Sequence, residues 1–260
     1  MKIDLRDTTF LVIIRLDSIE RLENVLAVTH FLSTNFDTIV KVWECNNYNN
    51  GVLSTLLDKE VEYKFVCDSD PILYRTKYLN EMILSVETSY VSVWDADVIS
   101  SAKQLEEAVI LLRSKDADFV YPYESKMLDT SIILRNLYLE TGDLDFLHKH
   151  SKKMEEMYPP LCVGGAFFCD TKSYIDIGME NDKFYGWGVE DGERYMRWKE
   201  SGYKVKRITG LLFHLSHPRG LNSLIPHTDQ SLIKSKIFED SVRGMTFKKN
   251  IKTYGNNKNS

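Results

Sequence analysis

An alternation of apolar strand-like runs with helix-like segments constrains this chain more than any other feature of its sequence. Residues 10–14 form an unbroken apolar run, as expected of a strand that is buried on both faces. Further strands are indicated at 39–43, 62–67 and 90–94, and helical spacing separates the first from the second and the third from the fourth. Strands that alternate with helices indicate crossover connections. We therefore predict an α/β fold with a mostly parallel central sheet flanked by helices, which binds ligands outside the carboxyl ends of its strands.

The rest of the chain continues this pattern with one exception. Helices are predicted at 102–112 and 189–201, and strands at 119–121, 203–207 and 211–214. Residues 127–157 are more polar, and we cannot place them within the pattern. The chain has 260 residues, 43% of them hydrophobic, and shows no internal repeat or low-complexity linker. We expect a single domain over residues 1–247 and a flexible polar tail over 248–260.

Charge and cysteine usage exclude several classes of protein. A net charge of −5 argues against a nucleic-acid partner. The polar N-terminus does not resemble a signal peptide, and the run at 10–14 is too short to span a bilayer. Four cysteines lie at positions without paired metal spacing, namely Cys45, Cys67, Cys162 and Cys169. We therefore expect a protein of the reducing cytoplasm.

An acidic pair follows the predicted strand 90–94. Asp95 and Asp97 are separated by one residue at the end of this buried strand, where two carboxylates can share a hard cation. A divalent cation there would neutralise a diphosphate. The alternative is an ordinary turn with two solvated aspartates.

Two histidines lie at the end of the predicted strand 211–214. His214 closes the apolar segment, and His217 and Arg219 follow it. An imidazole could complete the coordination of a metal, and the guanidinium could meet a phosphate. The alternative is a half-buried histidine with a purely structural hydrogen bond.

Other polar and flexible positions are candidates for nucleotide binding. Arg15 follows the first strand, while Arg75, Lys77 and Asn80 share one predicted helix. These side chains could receive a nucleotide, or they could belong to solvated surfaces. Gly165, with the glycine before it, could allow close approach of a ligand or could simply form a tight turn.

The segment 184–191 offers a different kind of chemistry. Two glycines flank Trp187, so its flat apolar ring would be presented on a turn and could face a sugar. Glu190 and Asp191 come next, in the first turn of the predicted helix, where the helix dipole favours ionised carboxylates. Such a carboxylate can take a proton from a hydroxyl. The alternative is a turn followed by a helix cap.

Taken together, these segments resemble the β1,4-galactosyltransferase family and its bacterial relatives over roughly residues 10–217. The matching pieces, in the order of the family, are Arg75-x-Lys77-x-x-Asn80, Asp95-Ala96-Asp97, Gly164-Gly165, Gly186-Trp187-Gly188-Val189-Glu190-Asp191 and His214. The resemblance implies a GT-A fold, a UDP-sugar donor, Mn²⁺ or Mg²⁺, and inversion at the anomeric carbon. The transferred hexose would be galactose or N-acetylgalactosamine.

The resemblance also implies a role for each matching residue. Asp191 would be the base toward the acceptor hydroxyl, and Glu190 would hold the acceptor. Asp97 and His214 would bind the metal, and Asp95 would contact the ribose or a metal-bound water. Arg15 and Arg75 would lie near the nucleotide. Trp187 would stack on the acceptor or contact the donor phosphates.

Three positions depart from the pattern of the family. Val189 replaces a glycine of the signature, and Gly192 replaces an acidic residue. His217 has no clear counterpart and could be the true metal ligand, although His214 is favoured by its place at the end of the strand. Animal members carry a membrane anchor and a stem, which are not found here. We therefore expect a bacterial enzyme of capsule or lipopolysaccharide synthesis at the inner face of the plasma membrane, peripherally associated and acting on a saccharide or lipid-linked saccharide.

Two other interpretations stay open. A nucleotidyltransferase that makes the activated sugar would also need a nucleotide-binding sheet and acidic metal ligands. That class usually has a glycine-rich basic loop after its first strand, whereas residues 15–18 contain no glycine. A non-catalytic sugar-binding module is the other alternative, but it has no need of a metal site together with a separate carboxylate pair.

Overall fold

The computed structural model describes residues 1–223 and 231–244. Eleven strands and nine α-helices lie within these residues. The strands are β1 (Ile3–Ile14), β2 (Phe36–Asn46), β3 (Val61–Cys67), β4 (Tyr90–Trp94), β5 (Val98–Ile99), β6 (Phe119–Tyr121), β7 (Met127–Asp129), β8 (Glu155–Met157), β9 (Ala166–Asp170), β10 (Val205–Arg207) and β11 (Leu212–His214). The helices are α1 (Ile19–Asn35), α2 (Val52–Leu56), α3 (Arg75–Ile83), α4 (Ala102–Arg113), α5 (Ser131–Thr141), α6 (Leu144–His150), α7 (Thr171–Asp176), α8 (Glu190–Glu200) and α9 (231–244).

The larger sheet has seven strands in the order β10-β6-β9-β4-β1-β2-β3. Strand β1 pairs in parallel with β2 and β4, β2 pairs in parallel with β3, and β10 pairs in parallel with β6. The predicted mostly parallel α/β sheet is therefore confirmed. Strand β9 is the exception, because it runs antiparallel between β4 and β6. Its first residues consequently lie at the same sheet edge as the last residues of β1 and β4.

The smaller sheet has four strands in the order β5-β11-β7-β8. It resolves the segment 127–157 that the sequence pattern left unplaced: short strands at its two ends pair with each other and enclose α5 and α6. The register sets His214 opposite Val98 of β5 on one side and opposite Asp129 of β7 on the other. This sheet therefore carries residues from distant parts of the chain to one place beside the larger sheet.

Aromatic packing fixes the helix that follows the glycine-flanked tryptophan. Trp198 of α8 is fully buried and stacks on Phe119 of β6, with 3.9 Å between ring centroids. The ring of Phe167 in β9 meets Trp198 edge-on at 5.0 Å. Because these contacts anchor the helix against the central sheet, its N-terminus is held at the edge where the strands end.

Apart from Phe184, the buried apolar residues that the structure describes form one cluster, which includes side chains from both sheets. Among the described residues, no helix has the length and apolar character needed to cross a membrane. The single domain over 1–247 stays a prediction, and the tail predicted at 248–260 lies outside the described residues.

Candidate active site

The ends of β1 and β4, the start of β9 and the N-termini of α3 and α8 surround a cavity of about 370 Å³. The structure brings most of the site residues predicted from the sequence into its wall. They are Arg15, Arg75, Asp95, Asp97, Gly165, Trp187, Glu190, Asp191, His214 and His217. A second cavity of about 490 Å³ adjoins it and shares Arg15, Arg219 and Asn222.

Three of these residues could hold a metal ion. Potential ligand atoms of Asp97, His214 and His217 all lie within 4.8 Å of one another. Nε2 of His217 is 3.1 Å from Oδ2 of Asp97, and Nε2 of His214 is 3.9 Å from the same oxygen. The sequence offers the two histidines as alternative ligands, whereas in the structure both imidazoles face Asp97.

The outer hydrogen bonds of the two imidazoles suit metal binding. Nδ1 of His214 is 3.3 Å from Oδ1 of Asp129, and Nδ1 of His217 is 2.8 Å from the carbonyl oxygen of Pro218. If each Nδ1–H donates a hydrogen bond to its acceptor oxygen, the lone pair of each Nε2 is free to bind a metal ion beside Asp97. One carboxylate and two imidazoles are ligands that Mn²⁺ and related divalent ions accept. The residues present therefore fit the implied metal.

Arg75 joins the acidic pair to the wall of the cavity. Its Nη2 donates to Oδ1 of Asp95 at 2.5 Å, while its Nη1 has no hydrogen-bond partner among the described residues. Burial raises the pKa of Asp95, and the guanidinium of Arg75 opposes that effect. The backbone N–H of Asp95 also donates to the carbonyl of Gly165 at 2.8 Å. The buried Nη1 of Arg75 can therefore donate a hydrogen bond to a ligand in this cavity.

The glycine pair has two separate structural explanations. A Cβ on Gly165, which has φ of 80°, would lie 2.8 Å from Cδ2 of Leu212. A Cβ on Gly164 would lie 2.7 Å from Oδ2 of Asp191. Gly165 is therefore required by packing and backbone conformation, whereas Gly164 makes room for the carboxylate of Asp191.

Asp191 and Glu190 have different environments although they are adjacent. The side chain of Asp191 is 32% exposed, and its Oδ1 accepts a hydrogen bond from Nη2 of Arg194 at 2.6 Å. Glu190 is 4% exposed, and its Oε2 has no hydrogen-bond partner among the described residues. Burial, together with the charge of Asp191, raises the pKa of Glu190 to about 7.

The raised pKa of Glu190 predicts a pH dependence of stability. A carboxyl with a higher pKa in the folded than in the unfolded state destabilises the fold as pH rises from about 4.5 through about 7. The expected cost at pH 8 is roughly 2–3 kcal/mol relative to pH 5. Glu190→Gln should therefore be more stable than the wild type at pH 8 by about that amount, over and above any difference at pH 5. Urea unfolding at the two pH values measures this, and an equal difference at both would contradict it.

Val189 occupies a backbone conformation that favours glycine. It precedes α8 with φ of 75° and ψ of −25°, in the left-handed region where a β-branched residue is strained. Relief of such strain is worth about 1–3 kcal/mol, and the added freedom of glycine in the unfolded chain costs up to about 1 kcal/mol. Val189 therefore differs from the glycine of the signature in its side chain, while its backbone keeps a conformation that glycine favours.

We expect Val189→Gly to raise the free energy of unfolding by about 1 kcal/mol. Val52→Gly is a matched control, because Val52 is similarly exposed but lies in helix α2. That control should lose about 0.3–0.5 kcal/mol. Chemical denaturation of both variants tests the idea, which fails if Val189→Gly is destabilised as much as the control.

Three predicted residues have other partners or positions. Lys77 is exposed and is not among the residues that line the cavity. The side-chain amide of Asn80 accepts from the N–H of Glu180 at 2.9 Å and donates to its carbonyl at 3.0 Å, so Asn80 holds a backbone segment. Arg15 lines the cavity, but its guanidinium donates to the Cys45 carbonyl and to Asp68. The guanidinium of Arg15 therefore binds other protein groups in the wall of the cavity.

Trp187 is half-buried in the cavity wall, with its ring centroid 6.1 Å from that of Tyr158. Its carbonyl oxygen accepts a hydrogen bond from the ammonium group of Lys234, a buried residue of α9. Sequence reasoning missed both Tyr158 and Lys234, because neither belongs to a motif. It also missed Arg194, although a cation three residues after Asp191 on a helix is a recognisable pairing signal.

Comparisons with known proteins find similarity to glycosyltransferases. A family model described as the N-terminal domain of galactosyltransferase matches residues 146–219. A curated relative, the xylosylprotein 4-beta-galactosyltransferase of Caenorhabditis elegans, is 28% identical over 91 residues, which are 32% of this chain and 32% of that protein. The match thus spans about a third of the relative.

Solved structures are similar over a greater length. A mannosyltransferase, PcManGT from Pyrobaculum calidifontis in complex with GDP-Man and Mn²⁺, has a TM-score of 0.54 and 13% identity, covering 83% of this chain and 58% of its own. The catalytic domain of Drosophila β1,4-galactosyltransferase 7 in complex with xylobiose has a TM-score of 0.49 and 15% identity, covering 87% of this chain and 79% of its own. The GT-A fold is confirmed, and so is the resemblance to galactosyltransferases.

Proposed function

We propose that this galactosyltransferase-like chain is an inverting, metal-dependent glycosyltransferase that moves a hexose from a UDP-sugar to a hydroxyl of a saccharide. One observation carries the proposal. The metal-ligand group of Asp97, His214 and His217 shares a single cavity with the partly exposed carboxylate of Asp191. A leaving-group site and a base in one cavity are what sugar transfer requires.

The donor side of the cavity is built around cations and metal ligands. A divalent ion held by Asp97, His214 and His217 would supply positive charge against the diphosphate of the leaving nucleotide. Nη1 of Arg75, which has no hydrogen-bond partner among the described residues, lies in the same wall and can donate to an oxygen of the donor. The adjoining cavity of about 490 Å³ gives the nucleoside a separate space at the ends of the strands.

Asp191 is better placed than Glu190 to be the base. Adjacent residues of a helix point about 100° apart, so the two carboxylates can hardly address the same proton. Oδ1 of Asp191 is bonded to Arg194, which leaves Oδ2, at the surface of Gly164, to accept the hydrogen of an acceptor hydroxyl. Glu190 is 4% exposed, whereas the side chain of Asp191 is 32% exposed, so an acceptor hydroxyl can approach the carboxylate of Asp191 more readily.

The acceptor side is formed by two aromatic rings. Trp187 and Tyr158 lie at the wall of the cavity, tilted by 45° to each other. Aromatic rings with polar edges offer apolar surface to the C–H face of a sugar. Trp187 therefore belongs mainly to the acceptor in this proposal.

The donor hexose and the biological role rest on the resemblance alone. Galactose or N-acetylgalactosamine is the proposed donor sugar, and Mn²⁺ the proposed metal. The proposed acceptor is a saccharide or lipid-linked saccharide of a bacterial surface glycan such as capsule or lipopolysaccharide. In this proposal the enzyme works in the cytoplasm at the inner face of the plasma membrane.

A donor screen tests the proposal. UDP-galactose, UDP-N-acetylgalactosamine, UDP-glucose and GDP-mannose would each be added with Mn²⁺ or with a chelator, and the melting temperature measured. We expect a UDP-sugar to raise the melting temperature only with the metal, because a ligand that binds the folded state alone stabilises it. A shift with UTP and a sugar phosphate, and none with any sugar nucleotide, would favour a nucleotidyltransferase instead.

A further inference from the structure

We propose that Arg194 is a positioning residue that holds the carboxylate of Asp191 in the geometry needed for proton removal. The inference rests on the proposed function, in which Asp191 takes the proton of the acceptor. Arg194 lies on α8 one turn after Asp191 and does not line the cavity, so it acts through the carboxylate.

The guanidinium of Arg194 binds three segments at once. Its Nη2 donates to Oδ1 of Asp191 at 2.6 Å and to the carbonyl of Val163 at 3.2 Å. Its Nη1 donates to both carboxylate oxygens of Glu180, at 3.0 and 3.1 Å. Since Val163 directly precedes Gly164, one side chain sets the helix bearing Asp191 against the backbone that Oδ2 of Asp191 faces.

The position of this guanidinium is itself fixed from several directions. The side chain is 1% exposed, and its Cζ lies 4.3 Å from the ring centroid of Phe167 and 5.5 Å from that of Trp198. A rigid, buried fork that fits two carboxylates is a role that arginine performs and lysine does not. Arg194 therefore gives Asp191 a fixed partner instead of a mobile one.

Glu180 is the counter-charge that holds Arg194. Its carboxylate also accepts a hydrogen bond from the hydroxyl of Tyr174, and its backbone is held on both sides by the amide of Asn80. A chain of contacts thus runs from Asn80 through Glu180 and Arg194 to Asp191. It gives Asn80, expected from the sequence to contact the nucleotide, a place in the support of the base.

The test compares an ion-pair variant with a matched control. The double variant E180Q/R194M removes both buried charges together and keeps an acceptor for Tyr174, which avoids an uncompensated buried charge. R194K keeps the charge but cannot make the three contacts. The control is E193Q/R197M, because Arg197 lies on the same helix, pairs with the buried Glu193 and binds the carbonyls of Ile177 and Met179 without touching Asp191.

We expect E180Q/R194M to lower kcat by about 10- to 100-fold, since small misplacements of a catalytic group have effects of this size. R194K should lie between the double variant and the wild type. The donor Kd should stay within about twofold of the wild-type value, because Arg194 does not line the cavity. E193Q/R197M should keep the kcat of the wild type. An equal loss of kcat in E193Q/R197M, or a normal kcat in a folded E180Q/R194M or R194K, would overturn the inference.

A crystal structure of the double variant provides a readout that does not depend on activity. Displacement of the Asp191 carboxylate from Gly164 supports the positioning role, and an unmoved carboxylate overturns it. R194K takes the place of the double variant in this experiment if the latter does not fold. If the wild-type protein transfers no sugar from any donor, the proposed function fails, and the crystal structure still decides the role of Arg194.

Discussion

Replacing Asp191 by asparagine is expected to lower turnover by about 100-fold or more, the scale of losing a general base. Asparagine keeps the size of the side chain and an oxygen that can accept from Arg194, so the local structure should persist. It cannot take the proton of the acceptor hydroxyl. Because Asp191 is not in the metal-ligand group, the affinity for the donor should stay within about twofold of the wild-type value.

Steady-state kinetics and donor titrations of Asp191→Asn and Glu190→Gln test this assignment together. Glu190→Gln should retain more turnover, since a glutamine can still hydrogen-bond to a sugar hydroxyl. Nearly normal turnover in Asp191→Asn beside an inactive Glu190→Gln would transfer the role of base to Glu190. Normal turnover in both would remove the catalytic mechanism proposed for this cavity.

Replacing Asp97 by alanine is expected to abolish the metal-dependent part of donor affinity. Asp97 offers the one carboxylate of the metal-ligand group, and the remaining imidazoles are neutral ligands that give the ion less compensating charge. Calorimetric titration of UDP with and without Mn²⁺ measures the effect. Undiminished metal-dependent affinity in folded Asp97→Ala would exclude this group as the metal site.

Asp170→Ala is a suitable control for the loss of a carboxylate. Asp170 caps helix α7 and does not line the cavity, so its removal should lower stability without changing the metal requirement. Within the metal-ligand group, His214→Ala and His217→Ala should each raise the Mn²⁺ concentration needed for binding, because both imidazoles face Asp97. A requirement changed by only one of the two would identify the ligand between them.

The fold could be predicted from the sequence where a strand is long or wholly buried. Strands β4 and β6 have the bounds that their apolar runs predicted at 90–94 and 119–121. Strand β1 starts seven residues before the predicted run, because its first half alternates exposed and buried residues and lacks an unbroken apolar signal. A continuous apolar run therefore marks the interior of a strand better than its ends.

In the smaller sheet, β11 lies within the strand predicted at 211–214, whereas β7 and β8 could not be predicted. Strands β7 and β8 have three residues each, too few to display a period. They exist because β7 pairs with β11, a segment that lies 85 residues later in the chain. Pairing over that distance depends on the tertiary fold, which local sequence patterns do not report.

The candidate site shows the same division. Residues within contiguous motifs, such as Asp97 and Asp191, could be selected because chemistry and spacing are visible together. The sequence predicts Asn80 at the nucleotide, but its side-chain amide binds the backbone of Glu180. The position of an amide in a motif does not reveal its hydrogen-bond partner. Lys234 and Tyr158 reach the cavity region only through the fold. The candidate reacting residues can thus be predicted from sequence motifs, whereas the residues that hold them in position are found only in the structure.

The most direct test of the central claim is release of UDP from UDP-galactose and UDP-N-acetylgalactosamine, measured with Mn²⁺ and a panel of saccharide acceptors. We expect UDP release to depend on both metal and acceptor, a chelator to abolish it, and the product to carry the inverted anomeric configuration. Sugar transfer absent with every UDP-sugar, together with pyrophosphate release from UTP and a sugar phosphate, would contradict the central claim.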